Sequence, residues 1–410
     1  MEGVNRSSSL GYPWNRSKKF MLVQLENDER WQDGVTFTDE VWEEIDRMMK
    51  DYEKGQVTHP IFVGQLKDEA VEHRKIIISK TRVFLIASAA WTLIMRKWFL
   101  AFIRLFQRYR TVFEGMPGLQ TQSRAWGKLY RHLTTHGKAR LFAGDFGRYD
   151  KVLEAVTSLE AFRVIRKVCE HAGWDELSIM ILWAIAEDAA FPVVLVNGDL
   201  VELEGSNPSG QAITVILNCI VNSIYMRYVY IIRNPAHEAV SFQKYVTLIT
   251  YGDDNAGNVS PEIDWFHHTA IQEELAAVGI EYTMADKHSE TRPFIGIDEV
   301  EFLKRKWRFD SEAGDYFAPL NEASIQKRLM VGVQSSEMTP EWQAVENLRT
   351  SMEDYFFYGR EVFEEKKNFL LTIGREAGLA AHMDAVQWPV FDQLLTRWRE
   401  APCELAVGME

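Results

Sequence analysis

Apolar residues recur every three to four positions from Val41 to Lys54, with acids between them, and this spacing predicts an amphipathic helix. Pro60 to Leu66 is a short apolar run of strand type. Lys75 to Ile86 predicts a basic β-ribbon, and Ala89 to Tyr109 returns to helical spacing. Arg140 to Phe146 predicts a short strand, followed by helices over Val152 to His171 and Asp175 to Phe191, with Gly173 as a stop signal. Gly205 to Gly210 (GSNPSG) has loop composition and opens a long helix over Gln211 to Arg233. Two short strands, Tyr245 to Thr250 and Ala256 to Val259, flank Tyr251-Gly252-Asp253-Asp254-Asn255 as a hairpin with carboxylates at its tip. Trp265 to Val278 predicts a helix ending at Gly279, then come a strand at Ile280 to Met284, a strand pair around Glu301 to Phe309, and a mainly helical region from Asn321 onward. The middle third thus alternates as an antiparallel sheet backed by helices would.

Composition narrows the class. At 410 residues with 46% hydrophobic and 26% charged residues, the chain can bury a large core in two to four packed units. Cys169, Cys219 and Cys403 are far apart and lack CxxC spacing, which argues against a disulfide framework or a cysteine-held metal and points to a reducing, intracellular setting. The opening MEGVNRSSSLGYPW has no signal-peptide core. The longest apolar stretch, Val83 to Met95, is short against a bilayer of about 30 Å, so a soluble chain without a membrane segment is expected. No fixed-period repeat is present. The net charge of −13 lowers the prior for a nucleic-acid partner, yet Lys67 to Arg110 holds ten lysines and arginines against three acids, enough local charge to meet phosphates.

Three groups of residues carry candidate chemistry. Asp253 and Asp254 sit side by side in the hairpin, where two carboxylates repel unless a cation or solvent intervenes; taken singly, such a pair is ordinary turn chemistry facing water. Asp145 ends the strand LFAGDF and Asp150 follows five residues later, past Gly147. Two strand ends that each present an aspartate suit a pair of Mg²⁺ ions about 4 Å apart, since Mg²⁺ takes few protein carboxylates and fills its shell with water and substrate phosphates. Phosphoryl or nucleotidyl transfer is the chemistry this favours. Ser209-Gly210, then Thr214 and Asn218 on one helix face, place hydroxyl and amide groups where a sugar hydroxyl could be bonded.

In chain order, Lys67-Asp68-Glu69, Lys80-Thr81-Arg82, Asp145 with Asp150, Ser209-Gly210 with Thr214 and Asn218, the YGDD of 251–254, Lys287 and Phe302-Leu303-Lys304-Arg305 resemble the ordered motifs of the RNA-dependent RNA polymerases of positive-strand, picornavirus-like viruses, dicistroviruses and marine RNA viruses included. Ser8-Ser9-Leu10-Gly11-Tyr12-Pro13 is similar to that family's template-entrance motif, and the likeness runs to about Arg308.

The resemblance implies an α+β right-hand polymerase. Partial fingers span 1–133. A palm spans 134–310, with a ferredoxin-like antiparallel sheet backed by helices and a fingers insertion over 156–203, and a mainly helical thumb spans 311–410. It implies Asp145 and Asp253 as metal ligands, assisted by Asp254, for two Mg²⁺ ions, with Mn²⁺ as the alternative. Asp150 and Asn218, with Ser209 and Thr214 beside them, would read the ribose 2′-hydroxyl; Lys67, Lys80 and Arg82 would hold the triphosphate; Lys287 would protonate the leaving pyrophosphate. Ser9, Gly11, Tyr12, Pro13 and Gly210 would meet RNA, and Lys304 and Arg305 would neutralise phosphates of the growing strand. The family further implies an RNA template, NTPs, a small protein primer, other viral replication proteins, host cytoplasm with membrane-associated replication complexes, and a polyprotein source with a longer fingertip segment ahead of residue 1. Two rivals share the pattern. A reverse transcriptase resembles it but carries an aromatic where Asp150 stands, and an RNA-binding scaffold would keep the fold without using the carboxylates.

Overall fold

The acid-rich amphipathic stretch folds as the helix Asp39–Tyr52, which buries Val41, Ile45, Met48, Met49 and Tyr52 along one side. This computed structural model describes residues 5–25, 34–71, 73–286, 289–335 and 337–403. The chain packs as two compact units, one of residues 1–106 with 148–224 and the other of 107–147 with 225–410.

The first unit holds a four-stranded sheet in the order Val83–Ile86, Ile61–Leu66, Val193–Val196, Asp199–Glu202. Its last two strands form a hairpin around Asn197 and Gly198, an element the periodicity misses because VVLVNGDLVE is short and its outer strand is fully exposed. The basic ribbon expected over Lys75 to Ile86 is corrected: His73–Ile77 is a short helix and only Val83–Ile86 pairs as a strand. Isoleucines 76, 77 and 78 are exposed, so β-propensity there had no partner strand to realise it. Helices Ala89–Arg108, Ala155–His171 and Glu176–Ala190 supply the core, with Trp91 against Phe62 and Phe99 against Phe162. Asp188, buried in the last of these, accepts hydrogen bonds from Tyr52 Oη, Thr58 N, Thr58 Oγ1 and His59 N.

The second unit holds an antiparallel sheet in the order Tyr282–Met284, Leu141–Phe146, Asp254–Val259, Val246–Tyr251. Along the chain these strands come first, second, third and fourth as Leu141–Phe146, Val246–Tyr251, Asp254–Val259 and Tyr282–Met284. Helix Thr214–Arg233 precedes the hairpin and helix His268–Ala277 follows it. One sheet face packs through Phe142 on Phe266, in the segment leading into helix His268–Ala277, and through Phe146 on Tyr225 of helix Thr214–Arg233. The opposite face puts Leu141, Ala143, Ile249 and Ala256 into a core with Trp126, Leu129 and Leu133 of helix Ala125–Leu133. Thr214–Arg233 is long and apolar enough to cross a membrane, contrary to the expectation from the longest apolar run; 56% of that window is buried, as in a core helix.

The strand pair expected around Glu301 to Phe309 is also corrected. Phe302 and Arg305 close a tight turn on each other, and the strand begins only at Arg308, where Arg308–Asp310 pairs with Asp315–Phe317. Helices Glu322–Met330, Pro340–Tyr355, Arg360–Glu376 and Phe391–Glu400 then build a separate core around Phe317, Phe356, Phe363, Phe391 and Trp398.

Candidate active site

Tyr251 pairs directly with Asp254, which leaves Gly252 and Asp253 as a two-residue hairpin loop. Of the two, only Gly252 has a positive φ (68°), the pattern of a type II′ turn that asks for glycine at its first central position. Asp253 therefore stands exposed at the tip, and Asp254 already belongs to the strand, half-buried. On the neighbouring strand, Leu141 faces Asn258 and Gly144 faces Asn255; the same register continued by one residue sets Asp145 opposite Asp254, side chains on one face. The structure thus brings Asp145 together with the adjacent pair Asp253 and Asp254, more than a hundred positions further along the sequence.

Their electrostatics agree with the register. Burial pushes the Asp254 carboxyl up to about 7, the Leu303 N–H opposes that rise, and Asp253, Asp145 and Glu301 add to it by repulsion. Leu303 N donates to Asp254 Oδ2 at 2.9 Å. Leu303 and Lys304, the two central residues of the Phe302–Arg305 turn, both have left-handed backbone (φ 54° and 56°), costly for non-glycine residues and held here by that bond and by the burial of Arg305. Sequence reading missed Glu301 and the Leu303 amide: a backbone donor leaves no compositional trace.

An all-oxygen set of clustered carboxylates fits Mg²⁺ or Mn²⁺ by donor chemistry. Among the described residues no three His, Cys, Asp or Glu side chains are already closed around one cation. Donor type and mutual repulsion, rather than a preformed cage, are what match a divalent ion.

In the first unit a second cluster forms around Asn207, which is 2% exposed. Asn207 N and Ser206 Oγ both donate to the Asp150 carbonyl at 2.9 Å, so the loop 206–207 is tied to the short helix Tyr149–Val152. Asn207 Nδ2 donates to Asn218 Oδ1 at 2.6 Å and to the Thr214 carbonyl at 3.2 Å, while Gln211 Nε2 donates to Asn207 Oδ1 at 2.7 Å. Thr214 Oγ1 donates to the Pro208 carbonyl at 2.8 Å, Tyr149 Oη donates to the Asn218 carbonyl, and Ser209 Oγ accepts from Leu85 N. Gly210 lies so close to the Leu85 carbonyl that a Cβ would overlap it. Asp150, through its carbonyl, Thr214 and Asn218 are thereby gathered in one hydrogen-bonded unit, with the Asp150 side chain exposed, while Ser209 is tied to the strand Val83–Ile86 instead. Asn207 and Gln211 are the residues that sequence reading overlooked; an Asn before Pro in a loop carries the signature of a turn, which is why.

Asp150 and the 206–209 loop border a cleft of about 490 Å³ walled by Val83, Leu85, Val194 and Leu203. A larger cleft of about 580 Å³, lined by Trp174, Trp183 and glutamates 170, 176 and 187, contains none of the expected site residues.

Lys67 and Arg82 both approach Glu69 Oε2, at 3.4 and 3.5 Å, and Lys80 is exposed beside them in the chain. Ser9 Oγ accepts from Gly11 N, Leu10 is fully buried, and the Ala89 amide donates to the Leu10 carbonyl, which pins the turn carrying exposed Tyr12 and Pro13. Lys304 is exposed. Arg305 is 9% exposed, donates to the Ala318 carbonyl at 2.6 Å and pairs with Asp354, so its guanidinium is spent inside the protein rather than offered to a phosphate. Lys287 lies outside the described residues.

A model of the family described as viral RNA-dependent RNA polymerase matches residues 1–362. The replicase polyprotein of Drosophila C virus is 28% identical over 395 residues, which is 91% of this chain and 22% of that protein. The replicase polyprotein of Acute bee paralysis virus is 30% identical over 335 residues (78% of this chain, 17% of the relative), and the RNA1 polyprotein of Satsuma dwarf virus is 27% identical over 392 (92% and 18%). The chain thus spans about a fifth of the length of these relatives. Among solved structures, the Sicinivirus 3Dpol RNA dependent RNA polymerase superposes with a TM-score of 0.78 at 18% identity, covering 97% of this chain and 78% of that one.

Proposed function

Given that the chain belongs to the viral RNA-dependent RNA polymerase family, we propose that it carries out template-directed nucleotidyl transfer in viral genome replication, with Asp145, Asp253 and Asp254 as its reaction centre. The observation that carries this reading is the register that sets Asp145 opposite Asp254, beside Asp253 at the hairpin tip. The growing RNA's 3′-oxygen bonds the α-phosphorus of an NTP as the bond to pyrophosphate breaks. Asp145 and Asp253 would hold two divalent cations, with Asp254 assisting. When bound there, such ions lower the pKa of the attacking hydroxyl and offset charge on the phosphates.

The remaining roles fall to the protein's own side chains. Lys67, Lys80 and Arg82 would grip the triphosphate; in its absence Glu69 sits against two of them, and phosphate oxygens would compete for the same cations. Asn218, oriented by Asn207, would bond the ribose 2′-hydroxyl together with Asp150, Ser209 and Thr214. Lys287 would give the leaving pyrophosphate its proton. Lys304 would meet the product strand's phosphates, with Arg305 anchoring the turn that presents it. Ser9, Gly11, Tyr12, Pro13 and Gly210 would guide RNA.

We read the four-stranded sheet with its strand–helix–strand–strand–helix–strand order as a ferredoxin-like palm. Residues 1–133 with the 156–203 insertion would be fingers, and the helices after 310 the thumb. A small protein primer, other replication proteins and membrane-associated complexes in the host cytoplasm complete the proposal. Primer extension on an RNA template with Mg²⁺ tests it. Asp253→Asn should cut elongation by about a hundredfold or more, because a Lewis-acid centre is worth several kcal/mol and about 1.4 kcal/mol is a factor of ten. RNA binding with no elongation by the parent chain would sink the assignment.

A further inference from the structure

Behind the carboxylate face of the sheet lies a buried polar contact that the reaction scheme does not use. Tyr282, on the edge strand Tyr282–Met284, is 1% exposed and donates from Oη to Asn255 Oδ1 at 2.7 Å; Asn255 is fully buried. These two residues are not on adjacent strands. Tyr282 pairs with Phe146, Asn255 pairs with Gly144, and the strand Leu141–Phe146 runs between them. The phenol can cross that strand only because residue 144 has no side chain: a Cβ at Gly144 would overlap the Tyr282 ring carbon and hydroxyl. His268 packs on the tyrosine ring at 5.0 Å and Phe146 meets it edge-on at 5.0 Å, so the ring is wedged in place.

Asp145 directly follows Gly144, and Asp254 directly precedes Asn255. Successive residues of a strand point to opposite faces, so the Tyr282–Asn255 bond grips from behind the two strands that present Asp145 and Asp254 in front.

We propose that Tyr282 and Asn255 are positioning residues that fix the spacing of Asp145 against Asp254, and thereby the affinity of this carboxylate pair for divalent cations. The inference rests on the polymerase reading for what the cations do, and on geometry alone for where they bind. Ligating side chains depend on the groups that orient them, and losing such a partner costs about ten- to a hundredfold in metal affinity.

The test is Mn²⁺ titration of the whole chain, followed by electron paramagnetic resonance, with primer extension and thermal unfolding run in parallel. Tyr282→Phe keeps the wedged ring and removes the hydroxyl. It should weaken Mn²⁺ binding by about tenfold and lower kcat by a similar factor, while KM for NTP stays within about twofold. Asn255→Val removes the acceptor from the other side and should give the same loss, so the measurement survives if one variant fails to fold. Because the two share one bond, the double variant should lose no more than either single one. Mn²⁺ affinity unchanged in a folded Tyr282→Phe chain, or losses that add in the double variant, would overturn the proposal. The titration needs no elongation: a parent that binds Mn²⁺ without extending primers defeats the polymerase reading alone.

Discussion

At Asp254 several demands meet on one side chain. It is half-buried in a strand, repelled by Asp253, Asp145 and Glu301, and held by a single backbone amide from Leu303. Nothing in its immediate sequence, YGDDN, distinguishes it from a solvated turn acid; its environment comes from the neighbouring strand and from a turn about fifty residues on. Asn207 makes the same point for the cluster proposed to read the sugar, since its amide links Gln211, Thr214 and Asn218 from inside a loop. Asn207→Ala should leave Asn218 without its orienting donor. The preference for UTP over dTTP, measured as the ratio of kcat/KM values on a primed RNA template, should fall by about tenfold, in line with about 1–3 kcal/mol for an orphaned buried polar group. An unchanged ratio in a less stable chain would make Asn207 loop scaffolding only.

Elements are placed by contacts of longer range than their own periodicity. The helix Glu176–Ala190 is predicted to within a few residues from its apolar spacing, but what locks it to its unit is Asp188, whose carboxylate takes four donors from Tyr52, Thr58 and His59. Asp188→Ala would leave those donors buried and unpaired, and urea unfolding should show a loss of about 3 kcal/mol or more. A loss of only about a few tenths of a kcal/mol in unfolding free energy would mean that water replaces the carboxylate. The misread elements have the opposite cause. Lys75 to Thr81 has β-branched residues and no strand to pair with, whereas Val193–Glu202 forms a hairpin on an exposed edge with little apolar contrast to announce it.

For the molecule as a whole, the net charge of −13 and the expected grip on RNA are reconciled by distribution: Lys67 to Arg110 is locally basic, and Lys304 stands exposed on its own turn. RNA affinity should therefore fall steeply as salt rises. Lys304→Ala should reduce the slope of log affinity against log salt by about 1, whereas Arg305→Ala, which removes a buried anchor of Ala318 and Asp354, should lower thermal stability instead. The reverse pattern in the two variants would exchange their roles. The ordered motifs that place the chain in its family and the alternation of strands and helices in the middle third were legible in the sequence, because residue type, turn chemistry and periodicity are local properties. Which strand lies beside which, how Asp145 comes to face Asp254, why Arg305 turns inward while Lys304 stays out, and why residue 144 must be small were decided only by the tertiary structure. Each of these depends on register and burial between segments tens to hundreds of residues apart, and no local window contains that information.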